Sequence, residues 1–293
     1  MSRAQALLEQ ANKKYGGGTK GGFLSSIFGS DSSRIEEAAD LYVQAANAFR
    51  LERKYNDAGL TFEKAAEAQG SSELRDEAAN TLVEAYKCYR QSSAPDAARV
   101  LGRAIQLFTE RGQFRRAANY KQDLAALYET ELGDLEQAVM CYEDAGEWFA
   151  GDGADALANK AFLKAADLAA LNENYASALK LYNKVAKASI DNPLTKWSLK
   201  DYFLKAVICN LANQDVIAAK KALDTYCDMD NGFAATREFG LAKAIIAAVE
   251  DGDQDKFTEE LKKFDSFSQL DKWKTTMLLR IKNAIVNEDD NLT

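Results

Sequence analysis

The chain contains no histidine, only 2 prolines and only 4 cysteines in 293 residues. Without histidine there can be no Ser-His-Asp triad, no Cys-His dyad and no HExxH zinc site, because the commonest general base and metal ligand is missing. Scarce proline suits long helices, which proline interrupts. Cys88, Cys141, Cys209 and Cys227 are far apart with no CxxC pair, so they spell neither a zinc ribbon nor a redox motif and read as buried reduced thiols. No run of 18 apolar residues occurs, and the stretch from Met1 to Lys14 lacks an apolar core followed by a small-residue cleavage site, so a cytoplasmic protein is expected. Positive charge is in the minority. The 37 Lys and Arg against 45 Asp and Glu give a formal net charge of -8, which argues against broad nucleic-acid binding but leaves room for a local basic patch. Neither a metal nor a cofactor is expected. Asn291-Leu292-Thr293 matches a glycosylation triplet, a three-residue coincidence in a cytoplasmic chain.

What is present is a rhythm. Alanine stands at positions 38, 58, 78, 98, 118, 138, 158 and 178, an unbroken period of twenty residues. Four residues after the anchors come mostly large side chains (Tyr42, Phe62, Leu82, Tyr142, Phe162, Tyr182). Seven after them come small or β-branched ones (Ala45, Ala65, Ala85, Ile105, Ala125, Ala145, Ala165, Val185). Offsets of 0, 4 and 7 mark one helical stripe. Each unit is thus a helix of about 14 residues plus a turn, with turns at Gly70-Ser71-Ser72, Ser92-Ser93-Ala94-Pro95, Gly133-Asp134, Gly151-Asp152-Gly153 and Asn172-Glu173-Asn174. Two units make a forty-residue hairpin. The pattern predicts an all-α, tetratricopeptide-like solenoid of antiparallel hairpins forming a twisted sheet over 1–190. Beyond Asn192-Pro193 the rhythm loosens, so residues 191–293 are expected to form a helical bundle.

Several local features admit a functional and a plain reading. Gly16-Gly17-Gly18-Thr19-Lys20-Gly21 satisfies GxGxxG, but a helical segment precedes it and no βαβ unit surrounds it, so it predicts a flexible loop over about 16–33 and not a nucleotide site. Inside that loop Phe23, Leu24, Ile27 and Phe28 either fold back onto the first hairpin or form an apolar tip that dips into a bilayer or a partner. At roughly 1.5–3 kcal/mol per fully buried side chain, four partly inserted residues hold weakly, and a second contact is implied. Lys160 and Lys200 lie forty residues apart, Lys164 is one helical turn beyond Lys160, and Arg115, Arg116 and Lys121 cluster one hairpin earlier. These are either ordinary salt-bridged surface or a positive trough suited to an elongated acidic partner. The acidic segments Glu250-Asp251-Gly252-Asp253 and Glu288-Asp289-Asp290, and the apolar Leu292 near the end, are unremarkable as pattern alone.

Longer motifs carry a resemblance. Arg111-Gly112-Gln113-Phe114-Arg115-Arg116-Ala117-Ala118-Asn119, Ala145-Gly146-Glu147-Trp148-Phe149, Trp197-Ser198-Leu199-Lys200-Asp201-Tyr202-Phe203-Leu204-Lys205 and Leu270-Asp271-Lys272-Trp273-Lys274 resemble the soluble NSF attachment proteins, fungal forms in particular, over essentially the whole chain. The resemblance implies a non-enzymatic adaptor that coats the assembled SNARE four-helix bundle, recruits the hexameric AAA+ ATPase NSF and lets ATP hydrolysis pull the bundle apart. It implies a SNARE-binding surface at Arg116, Lys160, Lys164, Lys200 and Arg237. Where some members carry a lysine this chain has Asn119, so Arg115, Arg116 or Lys121 supplies that charge. It further implies membrane attachment through Phe23, Leu24, Ile27 and Phe28, stimulation of NSF by Leu292, and NSF binding by Glu250, Asp251, Asp253, Glu288, Asp289 and Asp290. The expected location is cytoplasmic and peripheral to membranes. A scaffold that captures short peptide tails is the alternative, separable because an isolated tail would then compete for binding.

Overall fold

Alanine every twenty residues needs a close neighbour at every helix, and the computed structural model, which describes residues 2–16, 30–72 and 74–290, provides one. Among the described residues there is no strand. The contacts divide the chain into two units, Met1–Ala154 and Asp155–Thr293. The first contains α1 (Arg3–Gly16), α2 (Ser30–Leu51), α3 (Tyr55–Gly70), α4 (Arg75–Tyr89), α5 (Ala94–Glu110), α6 (Phe114–Leu127) and α7 (Leu135–Gly151), each packed on the next. The second contains α8 (Asp155–Leu171), α9 (Tyr175–Ser189), α10 (Leu199–Ala212), α11 (Val216–Met229), α12 (Arg237–Glu250), α13 (Gln254–Asp265) and α14 (Lys272–Asp290). The protein is an all-α, tetratricopeptide-like solenoid of antiparallel helix hairpins that ends in a helical bundle.

The rhythm is the core. All eight anchor alanines are buried, as are the eight residues at offset 7 and the large side chains at offset 4. Beyond α9 the phase fails, with Ser198 and Ala218 both only partly buried. The small anchors let helices close up, and the aromatic rings fill the space beside them at about 1.5–3 kcal/mol apiece. Where a ring carries a hydroxyl it finds an acceptor: Tyr42 donates to Asn12 Oδ1 at 2.9 Å and Tyr89 to Glu63 Oε1 at 2.8 Å. At Gly59 a Cβ would lie 2.7 Å from Tyr89 Cζ.

The turns repeat as faithfully as the helices. Left-handed backbone recurs at Gly133, Gly153 and Glu173, and also at Arg53, Gly112, Gln214 and Gly252. Asp134, Asn174, Asp215 and Asp253 then cap the following helices, each side chain accepting from the backbone N–H three residues on. Such a cap contributes about 1 kcal/mol.

In the second unit α10 packs against α9, α11, α12 and α14, and it is buried almost all round, from Phe203 to Leu211. Its Lys205 is paired with Asp167 Oδ1 of α8 at 2.8 Å. Helix α14 returns to α8, where Trp273 Nε1 donates to the carbonyl of Asp167 (2.9 Å) and Arg280 donates to the carbonyls of Ala170 (3.1 Å) and Leu171 (2.7 Å). The carbonyls of Ala170 and Leu171 are among the last four of α8, which have no i+4 donor within their own helix.

Two expectations need correction. Residues 30–33, expected to be loop, belong to α2, which begins at Ser30 and in whose first turns the Ser32 hydroxyl donates to Glu36 Oε1 (3.1 Å); residues 17–29 lie outside the described residues. Cys88, Cys141 and Cys209 are buried free thiols, but Cys227 is only half-buried.

Candidate functional site

The cations singled out in the sequence all sit on helices whose opposite stripe is pinned in the core. On α6 of the first unit, Arg115 and Arg116 are exposed and Lys121 is half-buried. Arg115 pairs with Asp152 Oδ2 at 3.1 Å, and Lys121 pairs with Asp144 Oδ2 at 2.9 Å while lying 5.6 Å from the Trp148 ring centroid. Among the described residues Arg116 has no carboxylate partner. It hydrogen-bonds Asn80 Oδ1 (2.6 Å) and Gln113 Oε1 (3.1 Å) and stacks 4.4 Å over the Phe108 ring. The residue forty before Lys160 is Tyr120, whose ring stacks on Phe108 with centroids 5.4 Å apart. Charge on this helix therefore comes from the neighbouring turn positions.

In the second unit Lys160 is exposed and forms no ion pair among the described residues, and Lys164 is half-buried one turn along α8. Lys200 opens α10 and pairs with Glu238 Oε1 at 3.0 Å. The other oxygen, Glu238 Oε2, is buried without a hydrogen-bond partner. Arg237, first residue of α12, is exposed with its guanidinium carbon 5.1 Å from the Phe267 ring centroid. Lys196, Trp197, Lys200 and Thr236 line an open groove of about 740 Å³. Trp197 is 83% exposed and Leu194 is 89% exposed. Neither was singled out from sequence as a site residue, since a lone tryptophan in a helical repeat reads as core. The available signal was Asn192-Pro193, which breaks the helix just before them.

The acidic candidates serve the local structure as well as the surface. Glu250 pairs with Lys220 at 2.5 Å, and Asp253 caps α13 through Lys256 N (2.8 Å). Asp251 pairs with Lys256 at 2.9 Å, and that hydrogen bond and charge raise the Lys256 pKa above the ordinary lysine value. Glu288, Asp289 and Asp290 occupy the last positions of α14. Phe23, Leu24, Ile27, Phe28 and Leu292 lie outside the described residues. Among the described residues no group of three or more His, Cys, Asp or Glu is placed to hold a metal, and no helix is long and apolar enough to cross a membrane.

The model of the family described as "Soluble NSF attachment protein, SNAP" matches residues 2–286. The vesicular-fusion protein SEC17 of Komagataella phaffii is 47% identical over 99% of this chain and 98% of its own. The alpha-soluble NSF attachment protein of Saccharomyces cerevisiae is 47% identical over 100% of both chains. The human alpha-soluble NSF attachment protein is 38% identical over 99% of this chain and 97% of its own. The chain belongs to the soluble NSF attachment protein family.

Proposed function

We propose that this protein is a SNARE and NSF adaptor. It grips an assembled SNARE four-helix bundle with the cations of α6, α8, α10 and α12, and it presents the 191–293 bundle and tail to an NSF-type ATPase. Its part is to transmit force; it is not an enzyme. The carrying observation is that the core stripe of α6 and α8 is buried while Arg115, Arg116 and Lys160 on the same helices are exposed. The folding pattern thus leaves these cations on the surface, Arg115 beside Asp152 and Lys160 without an ion pair among the described residues. A stack of helices, each braced by its neighbours, suits a load-transmitting role. The apolar residues Phe23, Leu24, Ile27 and Phe28 act in this reading as a weak membrane anchor that adds effective concentration to the bundle grip.

Two measurements test the reading. Lys160→Glu with Lys164→Glu abolishes capture of the assembled bundle at moderate salt while helix content is unchanged; undiminished capture sinks the basic-surface assignment. In an ATP-driven disassembly assay with NSF, a preformed bundle comes apart only when this protein is present, and Leu292→Ala prevents it. Disassembly that proceeds equally without the protein removes the adaptor role. An isolated SNARE tail that competes as well as the folded bundle would favour the peptide-scaffold alternative.

A further inference from the structure

The three cations Lys121, Arg115 and Lys200 are partly neutralised by carboxylates of their own chain. Arg237 differs. No carboxylate lies within ion-pair distance of it among the described residues, and what supports it is the ring of Phe267 at 5.1 Å. Phe267 stands in the turn between α13 and α14 and is 74% exposed. The exposure does not come from a slack turn. Phe267 N donates to the carbonyl of Phe264 (3.0 Å), Ser268 N donates to the same carbonyl (2.9 Å), Ser266 Oγ donates to the carbonyl of Lys263 (2.7 Å) and Leu270 N donates to Asp265 Oδ1 (2.7 Å). An ordered turn therefore holds a large aromatic ring in water against a cation. Single exposed apolar residues are common and need no explanation. A ring that faces an otherwise unpaired guanidinium is a different case, because a ring orients the cation without cancelling its charge.

We propose that Phe267 is a partner-contact and positioning residue. It fixes Arg237 for a carboxylate on the assembled bundle and offers its own exposed face to apolar side chains beside that carboxylate. The partner chemistry follows from the pair: an acidic helical surface with aliphatic groups one turn away. Aromatic and arginine side chains are the types that anchor interfaces. This inference rests on the adaptor reading, and its test separates the two.

Binding of the assembled SNARE bundle is measured for the full chain, Arg237→Ala, Phe267→Ala, Phe267→Tyr and the double Ala variant, at low and moderate salt. Phe267→Ala weakens binding about three- to tenfold without changing the thermal unfolding midpoint, and Phe267→Tyr restores it. Arg237→Ala also flattens the salt dependence. Arg237→Ala costs less in the Phe267→Ala background than alone, which a merely structural role for the ring does not produce. If the unmodified chain binds and Arg237→Ala weakens it, while Phe267→Ala binds normally or the two losses simply add, the positioning role is overturned and the adaptor reading stands. If the unmodified chain does not bind the bundle, the adaptor reading falls and this inference falls with it.

Discussion

Glu173 sits at φ 63 between α8 and α9, the left-handed conformation that Gly153 and Gly133 adopt twenty and forty residues earlier. A Cβ makes that conformation costly, so Glu173→Gly is expected to raise stability by about 0.5–1 kcal/mol, and Gly133→Ala to lower it by about 1 kcal/mol, read as denaturant midpoints at unchanged slope. The glycine turns were legible because glycine announces left-handed backbone. Arg53 and Gln214 adopt the same conformation with no such signal. Glu238 supplies a second prediction at this scale. Its side chain is 12% exposed and one oxygen holds Lys200. Glu238→Gln removes the negative charge that competes with a partner carboxylate, so affinity for the assembled bundle rises about two- to fivefold at low salt; unchanged affinity would show that Lys200 does not face the partner.

The α3–α4–α5 layer shows how a helix is fixed by its neighbours. Gly59 makes room for the Tyr89 ring, whose hydroxyl reaches Glu63 one turn along α3, and Arg99 and Arg103 of α5 close on Glu63 at 2.7 Å each. Gly59→Ala drives a methyl into the ring and costs about 1–3 kcal/mol, seen as a lower thermal midpoint. Burial by itself would raise the Glu63 pKa, but hydrogen bonds from Arg99 and Tyr89, with the charges of Arg99 and Arg103, outweigh it and hold the group below its ordinary value. A depressed carboxylate pKa contributes stability above the ordinary glutamate range and loses it as pH falls through the folded value. Glu63→Gln therefore destabilises by about 1.5–3 kcal/mol at neutral pH, and the difference shrinks as the pH is taken through the acid range. A gap independent of pH in urea melts would contradict this. The helices and turns of this layer were readable from the twenty-residue period. The Tyr89–Glu63–Arg99 network was not, since Tyr89 and Arg99 lie 26 and 36 residues from Glu63 and a period says which helices meet but not which polar tips do. The π-helical turn Tyr128–Leu132 after α6 was also unread, because it continues the helical pattern without a break.

For the molecule as a whole the formal charge of -8 sets the terms of association. A net acidic protein approaches an acidic partner only through a local excess of cations, so capture of the bundle weakens as ionic strength rises and its screening length contracts. Phe23→Ser with Phe28→Ser is expected to slow disassembly of membrane-anchored bundles far more than that of soluble ones; an equal loss on both substrates would mean that these residues pack within the fold. The amino-acid sequence by itself determined the all-α class, the hairpin period, the turns and the list of cations. Alanine at a fixed spacing requires close helix packing, and helical periodicity places Arg115, Arg116 and Lys160 off that buried stripe. Only the tertiary structure decided which cations are already spoken for. Asp144, Asp152 and Glu238 arrive beside Lys121, Arg115 and Lys200 from other parts of the chain, while Arg116 and Arg237 meet rings instead. The availability of a charge depends on what folding brings within about 4 Å of it, and no local pattern encodes that.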